Sequence, residues 1–343
     1  MTLIDIEEFH LLKKDIPCVD VRSPVEYTHA HVPGSFSIPL FSDDERARIG
    51  TTYKKEGQDR AIVLGERFAE PKIPYYLKEA EELGNRIIVT CARGGLRSLR
   101  FSELLEDKGF EVFRLKGGYK NYRQSVLKSF SKKIPLVVLS GKTGCGKTEI
   151  LKELQKSGEQ ILDLEGLAGH KGSAFGSIGL NPQPSNEMFE NILSEAIASL
   201  DYSRNIWVED ESQNIGRVAL PAVLYEQMAA SPQVLVRMNR DERIDRLCAE
   251  YGDHGSEPLA EGIKRIRKRL GDLNCRTALE ALEMNRLAET ASIVLSYYDK
   301  CYDYSLSKKS RKTLGVLSID NFDPRRTASR ILFLQSTQNT LAD

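Results

Sequence analysis

The sequence has no CxxC pair, no two histidines at metal-ligand spacing and no apolar run long enough to cross a bilayer. Its six cysteines, at 18, 91, 145, 248, 275 and 301, lie far apart. That scatter argues against a zinc site or a disulfide framework, so no structural metal is expected and a reducing cytoplasm is the expected compartment. The N-terminal stretch MTLIDIEEFHLL carries acids where a secretory signal needs bases. Net charge is missing too, because 49 Lys and Arg balance 49 Asp and Glu. A polyanionic partner would therefore have to meet a local basic patch. There is no internal repeat and no low-complexity tract.

What remains is the composition of a soluble globular protein, 41% hydrophobic and 29% charged, with 343 residues to fill two domains. Short apolar runs alternate with amphipathic stretches, the pattern of parallel-sheet α/β folds. Strands are predicted at 17–21, 86–90 and 111–114, and helices at 5–14, 73–83, 96–107 and 118–129. Residues 41–72 read as a polar, partly helical insertion, and SFSKKIP at 129–135 as a linker. A second series follows: strand 136–140, helix 147–156, then strands 160–164, 205–209 and 233–237. Beyond 255 the strand signals thin out. The expected domains are thus 1–130, 131–254 and a helical C-terminal extension 255–343, the last a candidate for RNA contact.

VTCARGGLRSLR, residues 89–100, ends a strand on Cys91 and opens a helix. Such a loop aims several N–H groups at one point, and the helix dipole adds positive potential there. Gly94 and Gly95 let the backbone curl, while Arg93, Arg97 and Ser98 complete an anion cradle. A thiol at the mouth of this nest is expected to ionise readily, giving a nucleophile beside an anion site. The bland alternative is a buried structural cysteine. The spacing Cys91 to Arg97 is C-x5-R, the pattern of cysteine phosphatases.

GKTGCGKT, residues 141–148, follows the apolar run LVVLS and fits G-x-x-x-x-G-K-[ST] in its strand-then-helix setting. Gly141, Thr143, Gly144 and Gly146 would wrap a diphosphate, Lys147 would place an ammonium on it, and Thr148 could offer its hydroxyl to Mg2+. Cys145 reads as a small filler. IWVEDES at 206–212 is an apolar strand ending in acids, so Glu209 or Asp210 is the candidate partner of the metal. DLEGLAGHKGSAFGSIG at 163–179, with His170 and Lys171, has the composition of a loop closing over an anion. No adenine-specifying motif is present.

VDVRSPVEYTHAHVPGSFSIP at 19–39, the Cys91 loop and LKGGY at 115–119 together resemble the rhodanese domain over residues 3–128. Most single-domain rhodaneses have a loop one residue shorter, and the longer one can admit a tetrahedral phosphate carrying a chalcogen. With GKTGCGKT, DLEGLAGHKGSAFG and VEDES added, residues 3–250 resemble the tRNA 2-selenouridine synthase family. The resemblance implies a rhodanese-like domain followed by a P-loop NTPase-like domain. It implies a transferase that converts wobble 2-thiouridine of tRNA to 2-selenouridine with selenophosphate, by way of S-geranylation from geranyl diphosphate. Cys91 would then bind selenophosphate and take its selenium as a perselenide, or assist its transfer, and the 141–148 loop would hold the departing diphosphate. Many members carry an aromatic residue after the cysteine, and Ala92 departs from that.

The implied partners are the anticodon arm of tRNA and the enzyme that makes selenophosphate. KRIRKR at 264–269, the arginines at 237, 240, 243 and 246, and eight Lys or Arg against three Asp or Glu over 300–335 are candidate phosphate contacts. Tyr297, Tyr298, Tyr302 and Tyr304 are candidates for stacking on bases or for core packing. Two rival readings stay open: an ATP-dependent sulfurtransferase or kinase, and a non-enzymatic nucleotide-sensing regulator whose first half docks persulfidated partners.

Overall fold

In the computed structural model, which describes residues 1–339, the apolar runs become two five-stranded parallel sheets. The chain separates into two compact units, Met1–Ser129 with Glu190–Glu195, and Phe130–Phe189 with the chain from Ala196 onward.

The first unit runs β1 (Thr2–Ile4), α1 (Ile6–Leu12), β2 (Cys18–Asp20), α2 (Pro24–His29), β3 (Phe36–Ser37), α3 (Asp43–Glu56) and α4 (Gln58–Ala69). It continues with α5 (Ile73–Glu81), β4 (Arg86–Thr90), α6 (Leu96–Glu106), β5 (Glu111–Leu115) and α7 (Gly118–Ser129). Strand order is β1-β5-β4-β2-β3. Ile87, Ile88 and Val89 of β4 are all fully buried, as a parallel strand covered on both faces requires. Capping boxes start α1 at Asp5 with Glu8 and α3 at Ser42 with Glu45. The insertion at 41–72 is almost wholly helical, α3 and α4 being separated by Gly57 at φ 91°. Its polarity hid that, because the apolar side of the pair is narrow.

The second unit begins β6 (Leu136–Gly141), α8 (Lys147–Lys156), β7 (Gln160–Leu162), α9 (Leu164–Ala168), α10 (Asn186–Ala198) and β8 (Ile206–Glu209). A short antiparallel hairpin, β9 (Asn214–Ile215) and β10 (Val218–Ala219), precedes α11 (Ala222–Ala230), β11 (Gln233–Met238) and α12 (Arg240–Tyr251). Then come α13 (Ser256–Leu270), α14 (Asp272–Glu283), α15 (Leu287–Ser307), β12 (Thr313–Ile319) and α16 (Pro324–Asn339). Strand order is β12-β11-β6-β8-β7. The strand expected over 160–164 stops at Leu162 because the Asp163 carboxylate accepts the N–H of Gly166 and starts α9. Residues beyond 255 are helical through α15, but they are no separate extension: β12 pairs along β11 and completes the sheet. In both sheets the carboxyl ends of the strands carry the loops of interest, where open α/β sheets bind ligands.

Candidate active sites

Cys91 directly follows β4, and α6 starts at Leu96. The loop between them is held from α7, whose Tyr119 and Lys120 N–H groups donate to the Cys91 and Ala92 carbonyls at 2.8 and 3.0 Å. Gly94 (φ 64°) and Gly118 (φ 59°) pass so close that a Cβ on Gly118 would overlap Cys91 O and Gly94 N. This is why LKGGY accompanies the cysteine loop. The thiol expected at the mouth of the loop is instead covered. Cys91 is 3% exposed, and its Sγ donates to Ser98 Oγ on the first turn of α6 at 3.2 Å.

The expected cradle is only partly assembled. Arg93 and Gly95 are exposed beside the loop. Arg97 does not face an open anion site: its guanidinium forks onto Glu26 of α2, at 2.7 and 3.3 Å. Burial works against the Glu26 charge, but the Arg97 hydrogen bonds and charge outweigh it and hold the carboxyl down at about 2. Upstream, Asp20 and Arg22 form a buried pair at 2.7 Å that also reaches Ala30 O, with the Arg22 guanidinium over the Tyr119 ring. Asp-Val-Arg thus braces the back of the loop.

In the second unit β6 ends on Gly141, and α8 begins at Lys147 after Gly144 and Gly146, both at positive φ. Arg243 and Arg246 of α12 hold the loop by its carbonyls, donating to Thr143 O at 3.2 Å and Gly144 O at 3.1 Å. Arg243 is itself locked onto Asp299, and Arg246 stacks on Phe322 and pairs with Glu149. These two arginines are loop supports and not free phosphate contacts. Arg240 is likewise tied, to the Ser292 carbonyl.

Lys147 Nζ donates to Gly141 O at 3.2 Å. Thr148 Oγ1 lies 3.2 Å from Glu165 Oε2 and 3.3 Å from Glu209 Oε2. Glu211 joins them, and ligand oxygens of Glu165, Glu209 and Glu211 all lie within 4.8 Å of one another. Burial raises all three carboxyls; Asp163 adds to it at Glu165, the Glu165 and Glu211 charges carry Glu209 well above its ordinary value, and the Glu165 and Asp210 charges bring Glu211 to about 8. Burial alone would lower the Lys147 ammonium, yet the surrounding acids raise it above its ordinary value. A divalent cation fits this donor set, since three crowded carboxylates and a hydroxyl supply hard oxygens and an excess of negative charge.

Of the two acids expected at the end of β8, only Glu209 faces the loop. Asp210 points the other way, as alternation along an extended chain dictates, and pairs with Lys309 at 2.7 Å and Arg311 at 2.8 Å. Those bases, expected on an RNA-facing surface, are buried. Their partnership with Asp210 joins residues about 100 positions apart and has no local signal. Glu165 and Glu211 were not singled out by the sequence either, although both lie inside DLEGLAGHK and VEDES.

The 163–179 stretch does not fold as one lid. Its first part is α9, which delivers Glu165, and His170 is buried, its Nδ1 without a partner. Burial, with Arg265 nearby, lowers the His170 imidazole. Lys171 turns outward to Glu250 at 2.6 Å and over the Tyr251 ring. In α13 the five bases of KRIRKR stay exposed. Tyr297 and Tyr298 pack against the apolar cluster of the helices, the Tyr298 hydroxyl accepting from Ala174 N at 2.9 Å, whereas Tyr304 is 67% exposed. Among the described residues no helix is long and apolar enough to cross a membrane.

Comparison with known proteins follows the same division. Residues 5–125 match the family described as rhodanese-like domain, and residues 134–321 the family described as tRNA 2-selenouridine synthase AAA domain. The tRNA 2-selenouridine synthase of Cronobacter sakazakii is 34% identical, the match covering 88% of this chain and 90% of that protein. That of Marinobacter nauticus is 35% identical, covering 89% and 92%. A third, from Shewanella denitrificans, is 34% identical over 87% and 90%.

Proposed function

The chain belongs to the tRNA 2-selenouridine synthase family, and we propose that it converts wobble 2-thiouridine of tRNA to 2-selenouridine through an S-geranylated base. The observation that carries this reading is the pairing, in one chain, of a glycine-built cysteine loop with a diphosphate loop faced by Glu165, Glu209 and Glu211. In the first reaction the thiouridine sulfur attacks the allylic carbon of geranyl diphosphate. A C–S bond forms, a C–O bond breaks, and diphosphate leaves. Gly144 and Gly146 shape the loop that would receive it, and Lys147 would meet its charge. Thr148 with the three glutamates would hold Mg2+, which supplies charge stabilisation for the leaving group when bound.

Alkylation makes the second reaction feasible, because the sulfur can then depart as a thiolate. Selenium attacks C2, the C2–Se bond forms, and the C2–S pair leaves with the geranyl group and takes a proton. Electron counting assigns the role of Cys91. A perselenide drawn from selenophosphate would leave phosphorus reduced by two electrons, as phosphite, and releasing phosphate instead would need an outside oxidant. Phosphate is released without one if selenium attacks while still bound to phosphorus. The Cys91 sulfur then takes the phosphoryl group, an S–P bond forming as Se–P breaks, and water releases phosphate. The C-x5-R spacing suits that task. Since Cys91 is covered and Arg97 is held by Glu26, substrate must draw Arg97 away as the loop opens.

The test uses purified protein, a 2-thiouridine RNA stem-loop, geranyl diphosphate and selenophosphate labelled in phosphorus. Cys91→Ser is expected to form S-geranylated RNA but no selenouridine, and only the wild type should retain phosphorus label on the quenched protein. Loss of both products in Cys91→Ser would refute the division of labour, and selenium without phosphorus on Cys91 would refute the phosphoryl step. Turnover of ATP with indifference to geranyl diphosphate would favour the kinase-like alternative.

A further inference from the structure

The first unit contains a cavity of about 520 Å3 bordered by α3, α4, α5 and α6. It falls inside the range of roughly 300–1,000 Å3 typical of small-molecule sites. Its floor is apolar: Leu40, Phe41, Ala61, Tyr76 and Phe101 are each at most 8% exposed. The one polar atom that Tyr76 brings there is already bound, its hydroxyl donating to Leu40 O at 2.7 Å. Ala61 and Gly65 line it from α4, and Gly65 lets the Phe41 ring pack close, since a Cβ there would come within 3.3 Å of Phe41 Cζ. A dry apolar cavity of about 150 Å3 already accepts benzene, so this one has room for a chain of roughly ten carbons.

Its position links it to the thiol. Leu40, Phe41, Tyr76 and Phe101 belong to the same apolar cluster as Cys91. Ser98, the partner of the Cys91 sulfur, sits on α6 between the lining residues Arg97 and Phe101. The rim carries Arg97 and Arg100 but also Glu66 and Glu70, and both arginines are paired within the protein, Arg97 with Glu26 and Arg100 with Glu66 and Glu103, so the cavity suits an uncharged apolar chain. We propose that this cavity receives the branched alkyl chain of the S-alkylated wobble base while selenium attacks, seating the leaving thiol beside Cys91. The proposal rests on the function proposed above and adds where the chain is held.

Ala61→Phe fills the floor, and Ile62→Trp, at a half-buried lining position, is the second variant should the first fail to fold; thermal unfolding monitors both. Two RNA stem-loops are compared with selenophosphate, one carrying S-geranyl- and the other S-methyl-2-thiouridine. The wild type should favour the geranyl RNA, and a folded variant should raise its KM roughly tenfold or more while leaving the methyl RNA unchanged. An unchanged KM for the geranyl RNA overturns the cavity assignment and leaves the function standing. A variant defective only in geranylation from geranyl diphosphate also overturns it, because the chain of the diphosphate would then be the occupant. Failure of the wild type to convert either RNA overturns the function and this inference together.

Discussion

Glu211 shows how one side chain reports on the carboxylate cluster beside the 141–148 loop. Burial and the neighbouring Glu165 charge raise its carboxyl from 4.5 to about 8. Between those values the folded protein holds a proton that the unfolded chain has lost, so folding stability falls as pH rises through that window. A cation needs the ionised carboxylates, and its binding should restore what the repulsion removes. Mg2+ is therefore expected to raise the unfolding temperature more above pH 8 than below it, and Glu211→Gln should shrink that difference. An identical Mg2+ effect on both sides of pH 8, or none, would show that the glutamates do not form a cation site. The sequence exposed Lys147, Thr148 and Glu209 through motif and strand pattern. It did not expose Glu165 or Glu211, because their meeting depends on α9 folding back beside β8.

At the scale of elements, β8 and β12 show the limit of local reading. Arg311 and Lys309 precede β12 and close on Asp210 at the end of β8, with side chains no more than 8% exposed. Burial opposes the Asp210 charge, and the two cations prevail and lower its carboxyl. Its contribution is present above the ordinary value of 3.8 and is lost as pH falls below it. Removing one partner of a buried pair leaves the other uncompensated, at a cost of about 3–5 kcal/mol. Arg311→Ala should lower the denaturant midpoint of the second unit by less than that, because Lys309 still pairs with Asp210, while exposed Lys268→Ala in α13 should not. Equal midpoints for Arg311→Ala and the wild type would mean that the clamp carries no stability. From sequence the 300–335 bases looked like an RNA surface, since charge density alone does not reveal burial. The strand β12 was equally hidden, its half-covered alternation lying among helices.

For the whole molecule, the function proposed above has the two loops serve successive reactions, geranylation making the substrate of selenation. Lys147→Ala is expected to abolish geranylation, and with it selenation of plain 2-thiouridine RNA, but to selenate normally RNA supplied already S-geranylated. Nucleoside mass spectrometry of both reactions is the readout. If the variant fails on the geranylated RNA as well, the two loops do not act in sequence as separate sites.

What the sequence determined by itself was local: the alternation of strands and helices that makes two parallel α/β units, the glycines that only tight loops demand, and the lysine and cysteine those loops carry. Such features are written over a few consecutive residues, where backbone conformation and side-chain period act directly. Only the tertiary structure decided that Cys91 is covered, that Arg97 belongs to Glu26, that Asp210 turns from the 141–148 loop and that Glu165 and Glu211 turn toward it. It also decided that a polar-looking insertion walls an apolar cavity. These are contacts between distant segments, and burial sets their charge states and partners, so no window along the chain could carry them.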